Sequence, residues 1–316
     1  MDSVNTYPPT GLARLVSQAG VAKSRLSYPE IAIKTFMGGV FISFGALADL
    51  VIASGCPGLR ESNPALATMI AGFTFPPGLV LIILTNMELV TSNMFVMPFT
   101  WLQRKITLFD VMKNWVLGYI GNLAGALFVA GFLAWWTDSL STDAESAYAV
   151  TQAEGRVNVQ WSANFLRGIG CNWFVALALF LSLGSVEFVS KIYCIWIPIW
   201  AFVILGYQHS IANFFQVPLG MFYGTNFGVG KFIYQSTIPV TLGKIVGGMI
   251  FGAMVFWCLY GRHDESHEKE KSLGSDQEDD HAAKEMEAGT ALGVSHARNG
   301  SVYRGPYDRT SLAGAV

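Results

Sequence analysis

The sequence ELVTSNMFVMP at residues 88–98 aligns without a gap with QHSIANFFQVP at residues 208–218. Both segments place polar side chains inside long apolar stretches, where an unpaired polar group costs several kcal/mol. Such breaks persist only where they are buried in protein or line a cavity. A matched pair, one in each half of the chain, predicts a substrate path near the middle of a bilayer. Three paired positions are identical: Asn93 with Asn213, Phe95 with Phe215, and Pro98 with Pro218.

The composition agrees with a membrane protein. Apolar residues make up 52% of the chain and charged residues only 13%, and 18 of the charged residues follow Gly261. Residues 1–260 therefore fall far below the charge content of about 25% that soluble domains have. The net charge of -2 argues against a nucleic-acid partner, because phosphate binding needs clustered Lys and Arg. The four cysteines lack metal-ligand spacing, and we expect no metal and no cofactor.

Six apolar segments are long enough to span a bilayer, which takes about 20 residues. We predict an all-α polytopic membrane protein of six transmembrane helices, with the second and fifth helices interrupted. Residues 10–26 are typical of a short amphipathic helix on the membrane surface. The six segments cover about residues 29–54, 64–100, 108–136, 162–184, 192–222 and 238–260.

The repeat extends beyond the two breaks, because GNLAG at residues 121–125 corresponds to GKIVG at residues 243–247. Each half has three spans, so the halves must be inverted relative to one another. Small residues at these positions let helices approach closely. The predicted organisation is a cytoplasmic amphipathic helix at residues 1–28, a pore domain at 29–260 with repeats at 29–136 and 162–260, and a disordered acidic cytoplasmic tail at 261–316.

Basic residues predict the orientation, since cytoplasmic loops carry an excess of Lys and Arg. An even number of spans puts both termini on one side, and that side also carries the seven basic residues of the tail. We expect both termini to be cytoplasmic. The remaining basic residues of that side are Arg14, Lys23, Arg25, Arg104, Lys105 and Lys191, against Arg60, Arg156 and Lys231 on the other.

Four segments resemble, in order and spacing, the signature segments of the formate/nitrite transporter family. The resemblance covers about residues 15–260 and implies an aquaporin-like protomer in a homopentamer, with one pore per protomer for small monovalent anions. The acidic tail resembles the fungal branch, where nitrite is the commoner assignment, and implies a multi-pass plasma-membrane protein. The segments are GLVLIILTNMELVTSN (78–93), RGIGCNWFVALA (167–178), GYQHSIANFF (206–215) and IPVTLGKIVGG (238–248).

The resemblance also implies roles for single residues near the breaks. His209 matches the pore histidine, and Gln208 stands beside it where many members have Glu. Thr91 matches the gating position in the loop at residues 89–93, although Val90 replaces a common aromatic residue. We therefore expect the closure of this loop to differ from that of other members.

The resemblance also assigns residues to the apolar constrictions and to the positively charged positions of the pore. The apolar constrictions match Phe75 with Phe202 on the outer side and Leu79 with Leu89 on the inner side. Arg156 takes the place of a basic vestibule residue, usually Lys, sixteen residues before Asn172. Positive charge is retained there, so we expect anion attraction to survive. Lys244 replaces an asparagine of the sixth span, which is the largest departure from the family pattern.

Physical chemistry predicts roles for several of these residues independently of the resemblance. His209 is the only histidine outside the tail, and an ionisable side chain at membrane depth predicts function. The alternative is a neutral histidine that holds two helices by hydrogen bonds. Asn93 and Asn213 either satisfy the broken backbone or contact substrate. Lys244 either faces a water-lined path or snorkels to the interface.

The expected mechanism follows from the cost of dehydrating an anion, which is of order tens of kcal/mol before compensation. Half-helices that begin near Asn93 and Asn213 would point positive N-terminal ends at the pore. A protonated His209 would lend a proton, so that formic or nitrous acid crosses as a neutral molecule. Arg156 would concentrate anions in the vestibule. The expected partners are small monovalent anions, protons, the lipid bilayer and further copies of the chain.

Two alternatives remain beside the anion transporter. A neutral-solute pore of aquaporin or ammonia-channel type also uses inverted repeats and broken helices. Against it, the Asn-Pro-Ala pair of aquaporins is absent from both breaks, and the charges of Arg156 and Lys244 disfavour ammonium. An intramembrane enzyme with His209 as base would need a nucleophile and a positioned acid, which the sequence does not indicate. We therefore expect that the protein is not an enzyme.

Overall fold

The structure, a computed structural model, describes residues 6–262. This part of the chain is almost entirely helical, as the sequence predicts. Most of the acidic tail at residues 261–316 lies outside the described residues, as do residues 1–5. The predicted disorder of the tail therefore stays a prediction.

The first half of the described chain contains seven α-helices, and π-helical turns at Val129–Trp135 extend the seventh. The helix starts follow the sequence: at α7, Thr107 and Asp110 form a capping box in which each side chain accepts a hydrogen bond from the other residue's backbone N–H. The helices are α1 Pro9–Ser24, α2 Tyr28–Gly55, α3 Pro57–Ser62, α4 Pro64–Phe73, α5 Pro77–Leu84, α6 Val90–Leu102 and α7 Leu108–Phe128.

The second half begins with a helix that connects the repeats, and Thr142 and Glu145 form the capping box at its start. Three π-helical segments, Ile233–Thr237, Gly247–Met254 and Trp257–Gly261, lie in the last crossing. The helices are α8 Asp143–Val157, α9 Trp161–Gly184, α10 Phe188–Ile204, α11 Ser210–Tyr223, α12 Val229–Phe232 and α13 Ile238–Val246.

Among the described residues, the predicted crossings correspond to five long apolar helices and one shorter apolar helix, α10. The predicted fifth crossing is divided, because the chain breaks after Ile204 and leaves α10 with 17 residues. The last crossing begins at Val229 rather than at residue 238, because helical hydrogen bonding continues through the polar residues there. Within the described residues, five helical stretches are long and apolar enough to span a membrane: Tyr28–Gly55, Pro64–Leu84, Leu108–Trp135, Trp161–Gly184 and Val229–Gly261.

The predicted N-terminal helix is present as α1, and protein covers its apolar face. Leu12 and Val16 are buried in the main core. Gly20 packs against Thr100 of α6, and the backbone N–H of Tyr7 donates to the carbonyl oxygen of Gly184 at 3.1 Å. The ends of α6 and α9 therefore lie on the same side of the bundle as α1. A position of α1 on the membrane surface stays a prediction.

The two predicted breaks have the same backbone geometry. Asn86 and Gly206 lie 120 positions apart and both adopt the left-handed conformation, with φ of 55° and 69°. Asparagine and glycine tolerate this conformation best. Each turn leads to an extended N-cap residue, Leu89 before α6 and His209 before α11. The predicted internal repeat is therefore confirmed in the backbone.

Glycines permit the close packing that GNLAG and GKIVG predict. A Cβ atom on Gly125 of α7 would overlap the carbonyl oxygen of Phe36 on α2. Likewise, a Cβ atom on Gly243 of α13 would overlap the carbonyl oxygen of Phe165 on α9. The α2–α7 and α9–α13 pairs thus occupy equivalent places in the two repeats, with backbones in contact.

Gly243→Ala is expected to destabilise the protein by about 1 to 3 kcal/mol, because the added methyl group meets rigid backbone. The matched control is Gly131→Ala, since no atom lies within 4 Å of a Cβ built there. Thermal unfolding of both variants in detergent measures the difference. Equal unfolding temperatures for the two variants would contradict the predicted close approach at Gly243.

Candidate functional site

A buried polar network holds the first broken segment. Asn93 donates from Nδ2 to the Glu88 carboxylate at 2.7 Å and to Oδ1 of Asn114 at 2.8 Å. Lys23 of α1 donates to the other oxygen of Glu88 at 2.6 Å. The network therefore ties the start of α6 to α7 and to the N-terminal helix.

The second broken segment has the same network without its charges. Asn213 donates from Nδ2 to Oε1 of Gln208 at 3.0 Å and to Oγ of Ser236 at 3.1 Å. Gln208 replaces Glu88 in the repeat, and Ser236 replaces Asn114. Both asparagines thus use their side-chain amides to bind other side chains, and these bonds do not reach the broken backbone.

A second asparagine, Asn122 of the GNLAG segment, clamps the first break. Its Nδ2 donates to the carbonyl oxygens of Thr35 at 2.6 Å and Glu88 at 2.9 Å. Its Oδ1 accepts from the backbone N–H of Val90 at 2.8 Å. One side chain therefore satisfies backbone groups on both sides of the interruption.

The equivalent position in the second repeat is Lys244, which makes a different contact. Its side chain is 0% exposed, and Nζ donates to Oγ1 of Thr91 at 2.7 Å, across the repeat boundary. Asn172 donates to the Lys244 carbonyl oxygen at 2.8 Å. Full burial excludes the alternative in which Lys244 snorkels to the interface. Among the described residues, Thr91 is the sole hydrogen-bond acceptor for its three N–H groups.

His209 is the N-cap of α11 and is 4% exposed. Its Nδ1 accepts a hydrogen bond from the backbone N–H of Ala212 at 3.1 Å. This contact requires a lone pair on Nδ1, so the neutral ring carries its proton on Nε2. Within the described residues, Nε2 has no hydrogen-bond partner, and Lys244 lies within electrostatic range of the ring.

Two phenyl rings adjoin His209 in the structure. Phe75 and Phe202 make an edge-to-face contact with ring centroids 5.7 Å apart. The centroid of the His209 ring lies 6.5 Å from that of Phe75 and 6.2 Å from that of Phe202. Leu79 and Leu89, predicted for the inner constriction, are each 1% exposed in the same apolar core.

A cavity of about 370 Å³ opens above these rings, and we name it the arginine vestibule. Six predicted residues lie on its wall, whereas Leu79, Leu89, Thr91, Asn93, Asn172 and Lys244 lie outside it. The structure thus separates the predicted residues into a vestibule group and a deeper group. The vestibule group is Phe75, Arg156, Phe202, Gln208, His209 and Asn213.

Several polar residues of the vestibule were not predicted from the sequence as site residues, among them Asp49, Arg60, Tyr148 and Arg167. Asp49 could have been predicted from the sequence as a site residue, because a lone carboxylate in an apolar helix is as unusual as a lone histidine. Tyr148 and the arginines could not, since charged and aromatic residues at membrane borders are common.

The arginines of the vestibule differ in what holds them. The guanidinium of Arg60 lies 4.1 Å from the ring centroid of Tyr148 and donates to the carbonyl oxygens of Ala53 and Ser54. Arg156 donates from Nη1 to the carbonyl oxygen and Oε1 of Gln152, at 2.8 and 2.7 Å. Arg167 has no hydrogen bond within the described residues and faces the same space.

Burial lowers the pKa of Arg156, and the Asp49 carboxylate opposes this change. An arginine keeps its proton far above neutral pH, so Arg156 remains a cation at neutral pH. The vestibule therefore keeps a positive wall above the phenyl rings.

Together these features define a class of protein. Two inverted repeats of membrane-crossing helices surround a cationic vestibule, a pair of phenyl rings and a buried histidine and lysine, which is the architecture of a multi-pass membrane transporter. The sequence model of the family described as Formate/nitrite transporter matches residues 10–258. This protein belongs to the formate/nitrite transporter family.

Individual relatives agree with that assignment. The chain is 37% identical over 269 residues to a probable formate transporter of Methanothermobacter thermautotrophicus, covering 80% of this chain and 96% of the relative. It is 31% identical over 261 residues to an uncharacterized transporter of Saccharomyces cerevisiae, covering 82% and 42%. A solved pentameric formate channel with formate bound has a TM-score of 0.65 at 25% identity, covering 74% of this chain and 97% of that one. The protein is a transporter, and the enzyme alternative is set aside.

Proposed function

We propose that this protein transports formate and nitrite, and that protons move with these anions by way of His209. Support comes from the family and from relatives described as formate transporters and channels. The observation that carries the proposal is the Nε2–H of His209, which has no hydrogen-bond partner among the described residues and lies beside Phe75 and Phe202 at the wall of the arginine vestibule. A donor at the wall of a cavity can bind a water molecule or an anion there.

The electrostatics suit a small monovalent anion. The helices α6 and α11 begin at Val90 and Ser210, and their N-terminal ends each carry about half a positive charge. Lys244, when protonated, adds a positive charge in a buried position. These groups lower the cost of removing water from an anion in the apolar section of the path.

The proton linkage depends on occupancy of the pore. Lys244 and burial disfavour an imidazolium at rest, and Nδ1 would have to release the N–H of Ala212 to take a second proton. Losing a helix cap costs about 1 kcal/mol. An anion beside Nε2 offsets that cost, so His209 would take up a proton when the site is occupied and pass one to the anion.

We also propose an assembly and a location. The assembly is a homopentamer with one pore per protomer, and the description of the solved formate channel as pentameric supports the number of subunits. We further propose a plasma-membrane protein with both termini in the cytoplasm and α8 outside, because the predicted cytoplasmic loops carry the excess of basic residues. The arginine vestibule would then collect anions from outside.

Flux into proteoliposomes tests the function. Formate and nitrite uptake should be saturable and should rise about tenfold between about pH 8 and pH 5, where an imidazole titrates. Protein-free liposomes correct for leakage of the neutral acids through lipid. Uptake of ammonia or glycerol without anion uptake would contradict the proposal and favour the neutral-solute pore.

A further inference from the structure

Among the described residues that line the arginine vestibule, Asp49 is the only acidic one. It lies in α2, six residues before the end of a membrane-crossing helix, and is half-buried. Within the described residues its carboxylate has no hydrogen bond, and no cation lies within 4 Å to form an ion pair. Intramembrane carboxylates without a partner are expensive, so this position predicts a function.

The groups around Asp49 are cationic or neutral. Arg156 and Tyr148 of α8 lie within electrostatic range of its carboxylate. Among the described residues, the other titratable or charged groups on the vestibule wall are Arg60 of α3, Arg167 of α9, Tyr207 in the turn before α11 and His209 at the start of α11, while α4 and the body of α11 contribute only neutral residues. A negative charge on Asp49 thus opposes part of the positive charge that attracts anions.

We propose that Asp49 is a proton-uptake residue, which binds a proton together with the transported anion in the arginine vestibule. This inference rests on the proposed function and identifies where its proton is first taken up. The anion would lie against Arg156 and Arg167, whose free N–H groups suit the two oxygens of formate or nitrite. Asp49 would then face a second negative group at close range.

Two neighbouring carboxylates cannot both remain charged without cost, so such a pair takes up one proton and shares it. Before the anion arrives, burial disfavours a charged Asp49 and the positive charge of Arg156 favours it. When the anion arrives, the pair takes a proton from vestibule water. The O–H bond on Asp49 then breaks as His209 takes up that proton at Nδ1 through vestibule water, while the Nε2–H bond breaks as an O–H bond forms on the anion. This step leaves an Asp49 carboxylate, a neutral imidazole and a neutral acid beside Phe75 and Phe202.

This arrangement explains the presence of a carboxylate in a vestibule that attracts anions. A vestibule with arginines alone would bind the anion more tightly but would not recruit a proton with it. Asp49 lowers affinity and supplies the coupling. The two effects can be separated by experiment, because removal of the carboxylate changes them in opposite directions.

The test compares Asp49→Asn with the full-length wild type in proteoliposomes, using radiolabelled formate and an entrapped pH indicator. The variant should lower the apparent KM for formate about threefold or more, since one opposing charge is lost. It should also lower the acid stimulation of maximal flux from about tenfold to under about threefold, because an amide does not titrate in this range. Asp49→Glu should restore the acid stimulation.

The control variant is Glu61→Gln, which changes the same charge on exposed α3 outside the vestibule and should alter neither quantity. A lower KM with unchanged acid stimulation would overturn the inference, since Asp49 would then only repel anions. If Asp49→Asn does not assemble, the Asp49→Glu variant becomes the test. Loss of acid-stimulated flux in an assembled Asp49→Glu variant would also overturn the inference. Absence of acid-stimulated flux in the wild type would instead refute the proton linkage of the proposed function.

Discussion

Lys244→Met is expected to weaken formate binding by about 10- to 100-fold and to raise the thermal stability of the protein. A unit charge a few ångströms from a bound anion contributes about 1.5 to 3 kcal/mol at a dielectric constant near 20. Lys244 is fully buried and has one hydrogen-bond partner among the described residues. Replacing a buried charge with an apolar side chain of similar length removes its desolvation cost, a gain of about 1 to 4 kcal/mol.

The opposite signs of these two effects make the prediction specific. Lys244→Arg should retain anion affinity, because it keeps the charge. Thr91→Val removes the hydrogen-bond acceptor of Nζ without changing the charge, so it should alter stability and loop closure more than affinity. Formate titration and thermal unfolding of the purified oligomer measure both quantities. Unchanged affinity in Lys244→Met would show that this lysine has no part in conduction.

His209→Asn is expected to remove most of the acid stimulation of flux while the protein stays folded and assembled. Asparagine is a favourable N-cap residue, so its Oδ1 can replace Nδ1 as the acceptor for the Ala212 N–H. The variant therefore loses the titrating ring and Nε2 but keeps the start of α11. Stability within about 0.5 kcal/mol of wild type is the expected result.

His209→Ala is the matched variant, because it removes the cap as well and should cost about 1 kcal/mol of stability. Flux against pH and thermal unfolding of both variants separate the two roles of the ring. The apparent KM for formate should rise in His209→Asn, since a hydrogen-bond donor to the anion is lost, whereas it should fall in Asp49→Asn. A pH profile that coincides with wild type in His209→Asn would refute the proton role of the histidine.

The two interrupted helices show which features the local sequence can predict. Polar residues inside apolar segments are sufficient to predict the interrupted helices. Unpaired backbone groups are tolerated in a membrane only where they are buried in protein or line a cavity. The same rule located Asn93 and Asn213. In the structure, each of these asparagines donates to two buried side chains that lie at corresponding positions of the two repeats. The start of the last crossing at Val229 was missed, since polar residues there hide a helix that hydropathy alone does not reveal.

The sequence by itself determined the number of crossings, the repeat and the positions of the breaks, because these depend on residues near each other in the chain. Only the tertiary structure decided that Lys244 contacts Thr91 of the other repeat, and that Asp49, Arg156 and Arg167 share one cavity. These contacts join helices from distant parts of the chain. Hydropathy predicts that a helix is buried but does not predict which neighbour its charged side chain meets, because that depends on how the helices pack.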